Sequence, residues 1–140
     1  MVDQSWVGTE FEPTVVDITA HQLRFFAKVT GETRDEYANP DPDAVLLAPP
    51  TFLFSVGMAD PDFFEIRKLG INLGKILHAT QSFEYGEPIR SGDRITLRRK
   101  LADRFEKKGG ALEFLVLECE GFNQRGESVG RMTSTIVERH

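Results

Sequence analysis

The sequence has little that could tie it together covalently or carry it into a membrane. Its single cysteine, Cys119, excludes an intrachain disulfide framework, and a lone thiol suits a reducing compartment, so a cytoplasmic protein is expected. No apolar run approaches the roughly 20 residues that a membrane helix needs. Met1 to Gly8 hold no basic stretch followed by an apolar one, so no secretory leader is expected either. Positive charge is in deficit. The 17 Lys and Arg against 22 Asp and Glu leave a net charge of -5, which argues against a nucleic-acid partner. The three histidines, His21, His78 and His140, are too scattered to form a metal-ligand pattern, and no metal is expected. Gly70-Ile71-Asn72-Leu73-Gly74 lacks the lysine of a phosphate loop. Heptads and internal repeats are missing as well. Phenylalanine, by contrast, is plentiful: 11 in 140 residues supply a core that requires no staples, and the length fits one domain over residues 1–140.

The chain divides into a helical first half and a strand-rich second half. Residues 6–17 mix aromatic and β-branched side chains and read as an extended entry segment. Thr19 followed by Gln22 spells a capping box, and Gly31 is a C-terminal stop. Between them Leu23, Phe26, Ala27 and Thr30 share a face that Phe25 and Val29 broaden. Residues 32–43 read as a long polar loop. Ala48 to Ala59 is apolar nearly all round. A strand would fit its periodicity, but its length and Pro49-Pro50 favour a short helix with Pro50 in the first turn, stopped by Asp60-Pro61-Asp62. A helix with no polar face has to be buried on most sides, and only a sheet wrapped around it can do that here.

Residues 76–86, 93–106, 111–123 and 127–138 read as strands that provide the sheet, separated by turn signals such as Arg90-Ser91-Gly92-Asp93 and Asn123-Gln124-Arg125-Gly126. Phe114-Leu115-Val116-Leu117 is apolar on both faces and is expected at the centre. The fold class is α+β, an antiparallel sheet around a buried central helix.

Six stretches in this order resemble a known family over nearly the whole chain. They are Gly8-Thr9-Glu10-Phe11-Glu12-Pro13, Arg24-Phe25-Phe26-Ala27, Ala48-Pro49-Pro50-Thr51-Phe52, Leu77 to Tyr85, Pro88-Ile89-Arg90-Ser91-Gly92-Asp93 and Asn123-Gln124-Arg125-Gly126-Glu127. The chain is similar to the MaoC-like dehydratases of the hot-dog fold. Within them it resembles the fatty-acid-synthase-type N-terminal dehydratase domains, including the non-catalytic subunits of mycobacterial (3R)-hydroxyacyl-carrier-protein dehydratases. Active members carry an Asp just after a Gly, and a His five residues further that follows Asn-Pro. Here Gly31 is followed by Glu32, Tyr37 stands five beyond, and Asn39-Pro40 comes later. Tyrosine, with a reference pKa of about 10, is a poor base at neutral pH.

The resemblance therefore implies a component of an (R)-specific enoyl-thioester hydratase or 3-hydroxyacyl-thioester dehydratase, a hydro-lyase. It would bind the acyl chain while a second hot-dog subunit brings the Asp and His. Homodimer and heterodimer both remain open, as do a thioesterase using Glu32 or Asp35 and a non-catalytic acyl-thioester binding dimer. No cofactor is implied; acyl-CoA or acyl-carrier protein is the substrate. Glu32 and Tyr37 are the degenerate catalytic positions. Pro50, Thr51, Phe52, Leu53 and Phe54, at the start of the central helix, are the implied substrate-binding residues, the amides around Thr51 to Phe54 meeting the thioester carbonyl. His78 is a further substrate contact, on a strand face with Ile76, Thr80 and Ser82. Cys119, between Glu118 and Glu120, is expected to have a raised pKa and no nucleophilic role. Arg98-Arg99-Lys100, Arg104, Lys107 and Lys108 put positive charge on one hairpin, which either steers an anionic carrier or is simply a solvated face.

Overall fold

The computed structural model of the protein describes residues 1–59 and 68–140. The expected Asp60-Pro61-Asp62 stop lies outside the described residues. Strand β1 (Thr14–Asp17) is followed by helices α1 (Ala20–Thr30), α2 (Asp35–Ala38) and α3 (Phe52–Met58). Then come β2 (Ile76–Tyr85), β3 (Arg94–Lys107), β4 (Leu112–Phe122) and β5 (Ser128–Arg139). They form one five-stranded sheet in the order β1-β3-β4-β5-β2, antiparallel throughout. β4 is the central strand, as its two-sided apolar run requires.

The capping box of α1 closes reciprocally. The Gln22 amide donates to Thr19 Oγ1 at 3.1 Å, and the Thr19 amide donates to Gln22 Oε1 at 2.9 Å. Gly31 ends the helix in the left-handed region at φ 73°, a conformation that costs a residue with a Cβ. Leu23 and Ala27 are fully buried. Phe25 and Val29 do not broaden the core face; they are 64% and 68% exposed. At about 100° per residue, Phe25 lies about 200° from Leu23, so Phe25 and Val29 form a separate stripe on the far side. α2 is a single turn inside the segment read as loop.

α3 enters from a turn, with Pro50 ahead of the helix rather than within it. It buries Phe52, Leu53, Val56 and Gly57, which pack in a core with Ile95, Leu97, Val129 and Met132 of the sheet. The sheet does not enclose it on most sides. Phe54 and Ser55 are half-buried and Met58 is 46% exposed, because the inner sheet face covers one side of the helix and leaves the other partly open. A second core lies further along the sheet, where Val2, Leu69 and Ile71 pack on Leu101, Leu115 and Ile136.

Truncating Leu97, fully buried against α3, should cost about 2–5 kcal/mol of unfolding free energy. Phe25→Ala should cost less than about 0.5 kcal/mol. Urea denaturation of both variants checks the assignment of the two faces.

Candidate active site

Among the described residues, two of the cavities that border α3 touch the residues singled out above, and a third lies between α3 and α1, lined by Phe26, Phe52 and Val56. The first, of about 290 Å³, lies between α3 and the inner face of β2, β4 and β5. Phe54, Gly57 and Met58 form its helical wall. Met132 and Ile136 of β5 and Leu117 of β4 form its floor. The lining is overwhelmingly apolar, with His78, Ser134, Arg99, Glu118 and Cys119 as its polar members. The second cavity, of about 280 Å³, sits by the start of α3 and is lined by Tyr37, Pro49, Pro50, Leu53, Tyr85 and Pro88.

The residues singled out from the sequence are thus divided. Phe54 and His78 line the first cavity; Tyr37, Pro50 and Leu53 line the second. Phe52 turns towards α1 and meets Phe26 edge-on, ring centroids 5.2 Å apart. Thr51 is exposed, and its side chain caps nothing. The amides of Phe52, Leu53 and Phe54 are occupied within the turn. They donate to the carbonyls of Pro49 (2.9 Å), Pro50 (3.5 Å) and Thr51 (3.1 Å).

Glu32 lines neither cavity. Arg34 clasps it: Nε donates to Oε1 at 2.9 Å, Nη2 to Oε2 at 2.6 Å, and the Arg34 amide to Oε1 at 3.0 Å. These bonds hold the Glu32 carboxyl at about 2, well below the usual range, so it is a feeble base at neutral pH. The same guanidinium lies 4.9 Å from the centre of the Tyr37 ring. Asp35 is exposed and accepts from Asn39 Nδ2 at 3.2 Å.

His78 shares its face with Ile76, but not with Thr80 and Ser82. A bulge between His78 and Thr80 shifts the register, so that His78 opposes Ile136, and Gln81 and Phe83, opposite Ser134 and Met132, continue the inner face. The imidazole stacks on Phe54 at 5.6 Å and donates from Nε2 to the Thr80 carbonyl at 3.0 Å. The Cys119 thiol is pushed up to about 11, but by burial; Glu120 contributes little and Arg99 opposes the shift. Glu118 and Glu120 leave the strand on the opposite face from Cys119.

Sequence reasoning passed over three features of the site. Arg99, hidden in a basic run, alternates inward with Leu97 and Leu101. It donates to Thr14 Oγ1 at 3.0 Å and to the Gly57 carbonyl at 3.2 Å, joining β1 to α3. Gly57 gives Met132 room, since a Cβ there would strike the Met132 methyl. His140, for which the sequence offered no partner, lies beside Glu113 and Glu138. The rest of the basic hairpin is largely matched. Lys100 pairs with Glu118 at 2.9 Å, Arg104 with Glu113 and Glu106, and Lys107 rests on the Phe105 and Phe114 rings.

Solved structures share this architecture. The HadBC (3R)-hydroxyacyl-ACP dehydratase complex of Mycobacterium tuberculosis matches with a TM-score of 0.74 at 23% identity, over 92% of this chain and 94% of that one. The R-hydratase PhaJ1 of Pseudomonas aeruginosa matches at 0.70 and 16% identity, over 96% and 82%. These likenesses show a hot-dog fold. The model of the FAS1-like dehydratase domain region matches residues 5–132, and the chain belongs to that family. A UPF0336 protein of Streptomyces avermitilis is 32% identical over 99% of this chain and 95% of its own length. Among the described residues no helix is long and apolar enough to cross a membrane.

Replacing Arg34 with Ala should raise the Glu32 carboxyl from about 2 towards the ordinary carboxylate range near ~4.3, the backbone amide bonds to it remaining. Carboxyl-detected NMR titration of both proteins reads the difference, and an unchanged midpoint would refute the clasp.

Proposed function

We propose that this chain is a cytoplasmic subunit of an (R)-specific enoyl-thioester hydratase, equivalently a 3-hydroxyacyl-thioester dehydratase. It holds the acyl chain while a partner hot-dog subunit supplies the Asp and His. In the hydration direction the oxygen of water bonds to the β-carbon of a trans-2-enoyl thioester, and a proton is delivered to the α-carbon. Dehydration removes both. The observation that carries this reading is a mismatch: an apolar chamber of about 290 Å³ runs beside α3, while the catalytic positions hold a clasped Glu32 and a Tyr37. An alkyl chain in the chamber would gain about 0.8 kcal/mol per buried methylene. The carrier is coenzyme A or an acyl-carrier protein, and no cofactor takes part.

The unpaired edge of β2 supports the partner. Among the described residues this strand has a neighbour only on the β5 side, and it exposes 51% of Leu77 and 54% of Tyr85. Such an edge invites pairing with another sheet. The HadBC structure is itself a complex of dehydratase subunits. A pure acyl-thioester binder is the second reading, favoured by the absence of a competent base at Glu32. The clasped Glu32 disfavours a thioesterase.

The purified chain should not hydrate crotonyl-CoA alone and should do so with a co-encoded hot-dog partner. Turnover by the chain alone rejects the half-enzyme reading; acyl-CoA binding with no turnover in either state favours the binder. In the active pair, Gly57→Leu would push Met132 and the new side chain into the chamber. It should raise KM for long acyl chains roughly tenfold or more and leave kcat on crotonyl-CoA unchanged. Equal effects on short and long substrates would place the acyl chain elsewhere.

A further inference from the structure

Away from α3, the start of β4 and the end of β5 run side by side. Glu113 and Glu138 are register partners, so their side chains leave the sheet on one face, and His140 lies two residues beyond Glu138. The Glu113 side chain is completely buried, that of Glu138 is 7% exposed, and His140 stands at the rim. One oxygen of each carboxylate is occupied. Glu113 Oε1 accepts from Arg104 Nε at 2.7 Å and from the Val2 amide at 2.8 Å. Glu138 Oε1 accepts from the Asn72 amide at 2.8 Å. The other oxygens converge on a single ring nitrogen. His140 Nε2 lies 3.1 Å from Glu113 Oε2 and 3.9 Å from Glu138 Oε2. Among the described residues no hydrogen bond reaches Glu138 Oε2, although its side chain is more than nine-tenths buried.

The charges do not balance. Arg104 is the guanidinium of the cluster, and it is shared between Glu113 and Glu106. A neutral His140 adds no charge. Buried carboxylates in excess of their cations cost several kcal/mol unless a proton or a metal ion compensates them.

We propose that Glu113, Glu138 and His140 bind a divalent metal ion of the zinc class. One imidazole nitrogen and two carboxylate oxygens make a mixed N/O donor set that suits zinc, whereas magnesium and calcium prefer oxygen alone. The donor atoms lie within 4.8 Å of one another. Zinc–ligand bonds of about 2.0–2.2 Å would need them about 3.3–3.5 Å apart; His140 Nε2 already lies 3.1 and 3.9 Å from the two carboxylate oxygens, so the remaining closure is a rotation of the Glu113 and Glu138 carboxylates towards each other. The second shell is in place, since Arg104 and the two amides hold the carboxylates by the oxygens that face away from His140. The fourth position would face solvent. The ion would tie Val2, the Asn72 turn and the ends of two strands together, a structural role distinct from the acyl chamber.

The test titrates the chelator-treated full chain with Zn²⁺ alone, by calorimetry and thermal melting. One ion should bind per chain and raise Tm by several degrees, while equimolar Mg²⁺ leaves it unchanged. His140→Ala and Glu138→Gln, with circular dichroism confirming their fold, should each weaken binding roughly tenfold or more. Absence of one-to-one binding would overturn the site and leave a protonated His140 as the counter-ion. Unweakened binding in both variants would overturn it equally.

Discussion

A seven-residue helix with no polar face is laid on strands up to 14 residues long, and much of the molecule follows from that mismatch. α3 spans about 10 Å, whereas β3 runs for about 46 Å. Phe52, Leu53 and Val56 fill one end of the inner face, and Val2, Leu69 and Ile71 fill the other. Among the described residues no helix lies over the sheet between the two cores. The apolar chamber opens there, with Met132 and Cys119 from one core at its wall and Ile136 from the other. The cavity is thus a consequence of helix length, and the side chains bordering it are those that the core needs in any case.

Electrostatics removes the Glu32 carboxylate from base chemistry at neutral pH. One residue, Thr33, separates Glu32 from Arg34, close enough for a bidentate clasp made within one turn. A carboxyl held at about 2 remains ionised throughout the neutral range and binds a proton too weakly to act as a base. Arg34 also covers the Tyr37 ring, which faces the second cavity. Both positions are committed to each other's neighbourhood, and the buried Cys119 thiol, pushed up to about 11, is no substitute.

What could be read from the sequence was local. The capping box, the glycine stop and strands bounded by turns depend on neighbours a few residues apart, and β4 announced its central place by being apolar on both faces. The failures needed three-dimensional facts. The bulge after His78 changes which residues share its face, and no side-chain pattern in Leu77 to Tyr85 signals it. Phe25 and Val29 were assigned to the core because they are apolar, although helical geometry puts them on the other side. Arg99 looked like one member of a cationic run until strand alternation turned it inward. Glu113 and Glu138 meet only through the β4–β5 register, across 25 positions of sequence, so their convergence on His140 could not be seen along the chain.

His78 connects the chamber to the edge of the sheet. It is exposed, it stacks on Phe54 at the chamber wall, and it belongs to β2, an edge strand among the described residues. The bulge beside it twists the strand exactly where the rim lies, and bulges commonly re-aim side chains at such places. A subunit docked on this edge would therefore do more than pair backbone groups: it would roof the chamber mouth and exclude water from the acyl chain. Under the proposed division of labour, one sheet keeps a long dry groove and the other keeps the polar catalytic pair. Neither then has to place the catalytic carboxylate and imidazole beside an alkyl chain, an arrangement that low dielectric makes costly.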